Sequence, residues 1–542
     1  MSPSPQDMNT APQETTPAPQ DNSSQPGLSF GTAGLRAPVG VGPDRMNVAT
    51  VTRATAGVAD WLIAQHADRA AADIAVAVAH DARYGSETFA RATAEVFAAK
   101  GFTVTLLGGN NPTPVLAWLV RDRGLDAGVQ ITASHNPKGD NGYKLYLSGG
   151  SQLVSPADRE IEAAIAAQPA AEEVARSRSV QLELGASQGY ESAISAPVVS
   201  SENAVLTARR ALTIAYTPMH GVGGDTLESV LQANGFADIH AVAAQRWPDP
   251  EFPSVDFPNP EEPGATDLLL ALGKEVGADL LIALDPDADR CMLGVPTGGE
   301  SAYRMLSGNE AGPLLARRVL SGVAADAAAP PVVATTYVSS QLLGVMAQAS
   351  GWEYVETKTG FKHLARAAEG RPGELTFAYE EAIGTCPTPG IVADKDGIAT
   401  ALVAAAWAAE LAAAGRSLAD ELAAIEQQFG CFRSSQLSIR LESIAQATDV
   451  IKKFAAAPPE NLAGAAMSAE LLGEEAAEGL RLVGNADGVA LRVVARPSGT
   501  EPKAKFYLEA VGEAADREQV EAGLAALEVD IPRAVEAVAG VS

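Results

Sequence analysis

Three times along this chain an apolar, strand-like run gives way to a helical run and then to further apolar runs, and that alternation confines most of the molecule to βαβ units. In the first unit residues 74–78 read as a strand, 86–100 as a helix with Ser86 as its N-cap and Gly101 just past its end, and 102–106 and 127–131 as further strands. The second unit runs through 212–216, a helical run 225–234, 239–242 and 280–284, and the third through 331–335, a helix near 340–349, 354–357 and 375–379. A helix between strands at this spacing is the mark of a parallel or mixed sheet. A long Ala-rich helix is expected over 398–428, a surface helix and loop over 455–479, and a strand, turn, strand and helix over 489–494, 504–508 and from 516. The fold class read from this pattern is α/β: three similar mixed-sheet domains over 28–205, 206–305 and 306–430, then an α+β domain over 431–542. Residues 1–27, rich in Pro, Gln, Ser and Thr, hold almost nothing to bury and read as a disordered tail.

Composition narrows the function. Against 39 Lys+Arg stand 67 Asp+Glu, a net charge of −28, which argues against nucleic acid as a partner. The three cysteines, Cys291, Cys386 and Cys431, fit neither a disulfide framework nor a zinc site. No apolar run is long enough for a membrane span and no leader pattern opens the chain, so a cytoplasmic protein without a membrane partner is expected. A chain this acidic would repel an anionic substrate unless it gathers its cations locally.

Four segments carry chemistry. Thr132-Ala-Ser-His-Asn-Pro137 follows a buried strand, where a rigid scaffold can expose the Ser134 hydroxyl; Ser134 and Asn136 could equally make ordinary turn hydrogen bonds. Asp285-Pro-Asp-Ala-Asp-Arg290 sets three carboxylates at alternate positions after the apolar strand Leu280–Leu284, hard oxygen donors suited to Mg²⁺. An EF-hand is excluded by Arg290 and Pro296 where Gly and Glu are required. Tyr379-Glu-Glu-Ala-Ile-Gly384 presents Glu380 and Glu381 at a strand end, able to accept from sugar hydroxyls or to sit solvated on the surface. Arg496-Pro-Ser-Gly-Thr-Glu-Pro-Lys503 combines a guanidinium, two hydroxyls and a glycine, the ingredients of a phosphate nest or of a plain hairpin turn. Smaller features are the Gly-rich run from Phe30 to Arg36, His80-Asp-Ala-Arg83 at the end of the first strand, and His220-Gly-Val-Gly-Gly224, whose third fingerprint glycine is replaced by Thr226.

With these four motifs in this order, the chain resembles the α-D-phosphohexomutase superfamily of phosphoglucomutases and phosphomannomutases, in the larger branch that includes phosphopentomutase-like members. The stretches around 216–223, 258–262, 308–310, 359–362 and 394–397 are similar to that branch as well. The resemblance implies four domains around a central cleft, each giving one loop. It implies that Ser134 is a phosphoserine, that Ser134, Asp285, Asp287 and Asp289 hold Mg²⁺, and that Arg290, Glu380, Arg496, Ser498, Gly499 and Thr500 bind the phosphosugar. Arg36, His135 and Lys144 are the unranked candidates for proton transfer or charge stabilisation. The implied activity is an isomerase interconverting hexose 1- and 6-phosphates, glucose first, through a sugar 1,6-bisphosphate, with phosphomannomutase or phosphopentomutase activity as alternatives. A metal-dependent phosphatase using Asp285 as nucleophile and a non-catalytic sugar-phosphate-binding protein are the readings from other classes. Two departures bear on substrate choice. The sugar loop has Tyr379 and Ala382 where the family has Gly and Ser, and Phe361 with Lys362 stands where many relatives have His, which leaves Lys362 or Lys358 to meet the phosphate from that side. The oligomeric state, monomer or dimer, stays open.

Overall fold

The computed structural model describes residues 28–31, 34–299, 302–323, 329–473, 478–499 and 502–540. The first domain has strands β1 (Leu35–Pro38), β2 (Ala75–His80), β3 (Thr103–Leu107), β4 (Ala127–Ile131), β5 (Asp140–Leu147), β6 (Ser151–Gln152) and β7 (Gln181–Glu183). The second has β8 (Thr213–Thr217), β9 (Asp238–Ala241), β10 (Leu280–Leu284), β11 (Cys291–Pro296) and β12 (Tyr303–Met305), and the third β13 (Val332–Thr336), β14 (Glu353–Thr357), β15 (Leu375–Glu380) and β16 (Gly384–Cys386). The last domain has β17 (Cys431–Arg440), β18 (Asn461–Leu462), β19 (Ala465–Leu471), β20 (Leu480–Ala486), β21 (Val489–Pro497) and β22 (Lys503–Gly512).

The first three sheets share one kernel: β3-β2-β4-β5, β9-β8-β10-β11 and β14-β13-β15-β16, with three parallel strands and an antiparallel fourth. In each, the connection from the third parallel strand to the antiparallel one is a short loop at a carboxyl end of the sheet, where α/β folds bind ligands. The first two loops contain Ser134 and the three aspartates, and Glu380 ends the strand that leads into the third. Each contains one non-glycine residue at positive φ: Ser134 (54°), Ala288 (57°) and Ile383 (51°). Such backbone costs roughly 1–3 kcal/mol and persists only where surrounding contacts hold it.

The first three domains also share a core. One cluster runs from Trp118 and Tyr190 through Ile214, Leu284 and Leu293 to Leu314, Phe377 and Trp407. Its spine is the helix Gly397–Ala413, whose many alanines let neighbours approach closely; it packs on helices Asn203–Ala211 and Gly224–Ala233 and on β10, β11 and β16. The last domain packs its six-stranded antiparallel sheet on helices Ile444–Ala456 and Arg517–Ala539 around a separate core. Among the described residues no single helix is long and apolar enough to cross a membrane.

Three local expectations change. Ser86 is the first helical residue and not the cap: Gly85, at φ 83°, takes that position, and Ser86 Oγ donates to Asp81 Oδ1 at 2.6 Å. The expected helix 398–428 is two, Gly397–Ala413 and Leu418–Phe429, bent by 89°, because a capping box between Ser417 and Asp420 restarts the chain after Gly415. Within 455–479 the structure has β18 and β19, paired into the last sheet.

Gly308, first in helix Gly308–Leu320, lies against the Glu380 loop; a Cβ there would stand 2.2 Å from the Glu381 carbonyl oxygen. Gly308→Ala is expected to lower the melting temperature, by a clash of roughly 1–3 kcal/mol, and to raise KM for substrate. A variant with wild-type melting and KM would show that this contact does not set the loop.

Candidate active site

The three aspartates are fully buried at the end of β10, and one ligand oxygen from each lies within 4.8 Å of the others. Two neighbouring domains meet them. Lys144, on β5, donates to Asp287 Oδ2 at 2.6 Å and Asp289 Oδ2 at 2.8 Å; Thr113 gives Asp287 its hydroxyl, at 2.6 Å to Oδ2, and its backbone N–H. From the third domain Lys395 Nζ stands 3.4 Å from Asp289 Oδ2. Ser134 Oγ donates to Asp285 Oδ2 at 2.9 Å, while the Arg290 N–H takes Asp285 Oδ1. Asp287 Oδ1 and Asp289 Oδ1 are buried with no hydrogen-bond partner. Orphaned carboxylate oxygens in a hard, all-oxygen set beside a serine hydroxyl fit a divalent cation.

The electrostatics agree. Burial, then repulsion from Asp287 and Asp289, pushes the Asp285 carboxyl well above the usual carboxylate range. Burial would also raise Asp289, but Lys144, Lys395 and Arg290 outweigh it and hold the group low. Burial would lower the Lys144 ammonium, yet Asp287 and Asp289 carry it above its ordinary value. Lys144 is therefore a fixed cation and a poor base. His135 is the opposite case: burial, then Arg290 and Arg36, drive its imidazole well below its usual value, so it is neutral, with Nδ1 3.3 Å from Ser134 Oγ.

The loops converge further. Arg290 Nη1 donates to His135 Nδ1, and Arg290 Nη2 donates to Glu380 Oε1 at 3.3 Å, tying the aspartate loop to the serine loop and to the Glu380 loop. Arg36 Nη1 donates to Asn136 Oδ1 at 3.3 Å, and burial lowers its guanidinium from the ordinary value. Burial raises the Glu380 carboxyl, against Lys395 and Arg290. Glu381 turns inward and accepts from Thr336 and Ser339 hydroxyls at 3.0 and 3.1 Å. Arg36, Ser134, His135, Lys144, Asp285, Asp287, Asp289, Arg290 and Glu380 thus form one site.

The remaining candidates lie around it. Arg496 is on β21, its guanidinium 5.8 Å from the Tyr507 ring centre and under the influence of Glu381; Ser498 is buried beside it, and Gly499 is exposed. Thr500 is outside the described residues. Lys362, in helix Phe361–Leu364, is lowered by burial and feels Asp158 of the first domain, not the carboxylate trio. Lys358 pairs with Glu478 at 2.8 Å. The residue that sequence reasoning left without a role is Lys395, the link between the aspartate trio and the third domain. Its signal is a lone cation between Asp394 and Asp396 just before a largely apolar helix.

A serine hydroxyl bonded into a buried carboxylate trio, with cations converging from three domains, is a site for phosphoryl transfer. Comparison with known proteins agrees. The family models for phosphoglucomutase/phosphomannomutase alpha/beta/alpha domains I, II and III match residues 27–172, 189–298 and 307–429, and that for the C-terminal domain matches 441–527. The chain is 36% identical over 476 residues to a probable phosphomannomutase of Haemophilus influenzae, covering 86% of this chain and 93% of the relative. It is 37% identical over 435 residues to a phosphopentomutase of Mus musculus, covering 74% and 68%. The solved structure of a phosphoglucomutase/phosphomannomutase family protein from Burkholderia thailandensis shares the fold, with a TM-score of 0.70 at 20% identity over 95% of this chain and 98% of the other. The chain belongs to the phosphoglucomutase/phosphomannomutase family of the α-D-phosphohexomutase superfamily, and its enzyme class is the phosphomutase, an isomerase-type phosphotransferase.

A cation that binds this site only in the folded protein must stabilise it by mass action. Millimolar MgCl₂ is expected to raise the melting temperature of the wild type, reversibly with a chelator, and to leave Asp289→Asn unmoved. An equal rise in both would place the ion elsewhere.

Proposed function

We propose that the enzyme moves a phosphoryl group between the 1- and 6-hydroxyls of a hexose, glucose first, with Ser134 as the phosphoryl carrier and a sugar 1,6-bisphosphate as intermediate. The observation that carries this reading is the Ser134 hydroxyl bonded to Asp285 inside a buried carboxylate trio in which Asp287 Oδ1 and Asp289 Oδ1 have no hydrogen-bond partner.

Mg²⁺, held by Asp285, Asp287, Asp289 and the phosphorylated Ser134, would neutralise the charge that develops as the phosphoryl group moves. Ser134, on strained backbone at the carboxyl end of β4, presents the phosphoryl group to the cleft. Lys144 and Arg36 supply fixed positive charge, and the proton lost by the attacking sugar hydroxyl passes by way of neutral His135, whose Nδ1 lies 3.3 Å from Ser134 Oγ, to the departing Ser134 oxygen; in the second half-reaction it passes from the Ser134 hydroxyl to the sugar oxygen that leaves. Arg290 keeps Glu380 turned to the cleft, where its carboxylate accepts from hydroxyls that the sugar offers in both orientations. Arg496, Ser498, Gly499 and Thr500 grip the phosphate that is not being transferred, and Lys362 closes on it from the third domain. The bisphosphate turns over between the two transfers and returns its other phosphate to Ser134. The separate core of the last domain supports a body that can close on the cleft and keep water from the phosphoserine.

A phosphatase with Asp285 as nucleophile is less well supported, because the carboxylate is fully buried with the Ser134 hydroxyl bonded to it. Mannose and pentose phosphates remain the alternatives within the same mechanism, and relatives of both names match most of the chain.

With glucose 1-phosphate, Mg²⁺ and a trace of glucose 1,6-bisphosphate, a coupled dehydrogenase should register glucose 6-phosphate, and Ser134→Ala should abolish it. Full activity in that variant would remove Ser134 as carrier. Glu380→Gln should cost roughly 10–100-fold in kcat/KM, the worth of hydrogen bonds to a charged group. Across glucose, mannose, ribose and deoxyribose 1-phosphates, the highest kcat/KM is expected for glucose; a pentose ahead of both hexoses would reassign the substrate.

A further inference from the structure

Beneath the serine loop lies a buried cation that the mechanism above does not use. Arg83, three residues past the end of β2, is almost fully buried, and its guanidinium gathers four main-chain carbonyls, three from the serine loop and one from Asp140 at the start of β5. Nη2 donates to the oxygens of Ser134 at 2.7 Å and Asn136 at 2.6 Å; Nη1 donates to those of Pro137 at 2.8 Å and Asp140 at 3.1 Å. Asp81 orients the side chain, its Oδ2 3.5 Å from Arg83 Nε, and accepts at Oδ1 from the Arg83 amide and from Ser86 Oγ. Four carbonyl dipoles aimed at one point repel one another, and only a planar fork of N–H groups can collect them. One of the four belongs to Ser134 itself, at φ 54°.

The far face of the guanidinium is covered by the second domain. The Phe252 ring centre lies 5.0 Å from Arg83 Cζ, and the ring meets His220 edge-on at 6.4 Å. Next to it Glu251 pairs with Lys138 of the same loop at 2.8 Å and accepts from Tyr84 Oη at 2.7 Å. The serine loop is therefore pinned from below by its own domain and from the side by its neighbour.

We propose that Arg83, sandwiched between the serine loop and Phe252, is a positioning residue that holds Ser134 in its left-handed conformation so that the phosphoryl group meets both the aspartate trio and the sugar. Arg83 touches neither substrate nor metal, so its loss should act on kcat. This inference rests on Ser134 as carrier, so wild type and Ser134→Ala belong in the same series.

Arg83→Ala should lower kcat about 100-fold, the scale of a misplacement of about 1 Å, with KM for glucose 1-phosphate changed less than about threefold. Added guanidinium chloride at low millimolar concentration should restore part of kcat in Arg83→Ala and none in Arg83→Lys, because one ammonium cannot span four carbonyls. Melting curves report the folded fraction by which kcat is divided. Wild-type kcat in Arg83→Lys, or a loss in Arg83→Ala that follows the folded fraction alone, would overturn the positioning role. If neither variant folds, Phe252→Ala decides: kcat should fall several-fold at constant KM, and an unchanged kcat overturns the proposal. An inactive wild type, or an active Ser134→Ala, removes the carrier reading and this inference with it.

Discussion

Three buried carboxylates within 4.8 Å of one another are the constraint on which the rest of this molecule turns. At an effective dielectric of about 20 each pair of charges at that distance repels by ~3 kcal/mol, so the loop at the end of β10 cannot be buried alone. The second domain supplies the aspartates, the first supplies Lys144, the third supplies Lys395, and the loop's own Arg290 reaches His135 and Glu380. Charge balance thus adds to the shared apolar core in holding the three sheets in one arrangement. The same arrangement leaves Asp287 Oδ1 and Asp289 Oδ1 without a hydrogen-bond partner, a donor pair that fits a divalent cation.

The pairing explains why a chain with a net charge of −28 can serve an anionic substrate. Four cations meet at the trio, Arg36, Lys144, Arg290 and Lys395, and Arg496 lies within the influence of Glu381. The acidic excess elsewhere favours solubility.

Much of this was legible in the residues. The kernel strands were readable because their apolar runs are short, bounded by turn residues and separated by helical periods. The site was readable because each loop breaks such a run with residues no turn needs: three aspartates after Leu284, paired glutamates after Tyr379, a serine and histidine after Ile131. Less visible were features that depend on distant partners. The helix 398–428 looks continuous because Ala and Leu carry through the break, while the capping box at Ser417 is a local hydrogen-bond choice. The strands within 455–479 alternate poorly, and only pairing defines them: β19 adds to β20, and the two-residue β18 adds to β19 at the edge of the sheet. Lys395 and Arg83 lie in stretches that stand out in sequence, but what they do follows from which carboxylates and carbonyls the fold brings to them. Tyr379, a departure from the family's sugar loop, is fully buried against Gly312 and does not face the cleft, so that difference belongs to packing.

The carrier role of Ser134 is the centre of the account, and a pulse–chase labelling experiment tests it most directly. Enzyme incubated with glucose 1,6-bisphosphate labelled in its phosphates, then digested and mapped, should carry the label on the peptide containing Ser134. A chase with unlabelled glucose 1-phosphate should return that label to sugar phosphate at the rate of turnover. Label found instead as a hydroxylamine-sensitive acyl phosphate on Asp285, or label on Ser134 that the chase does not remove, would contradict it.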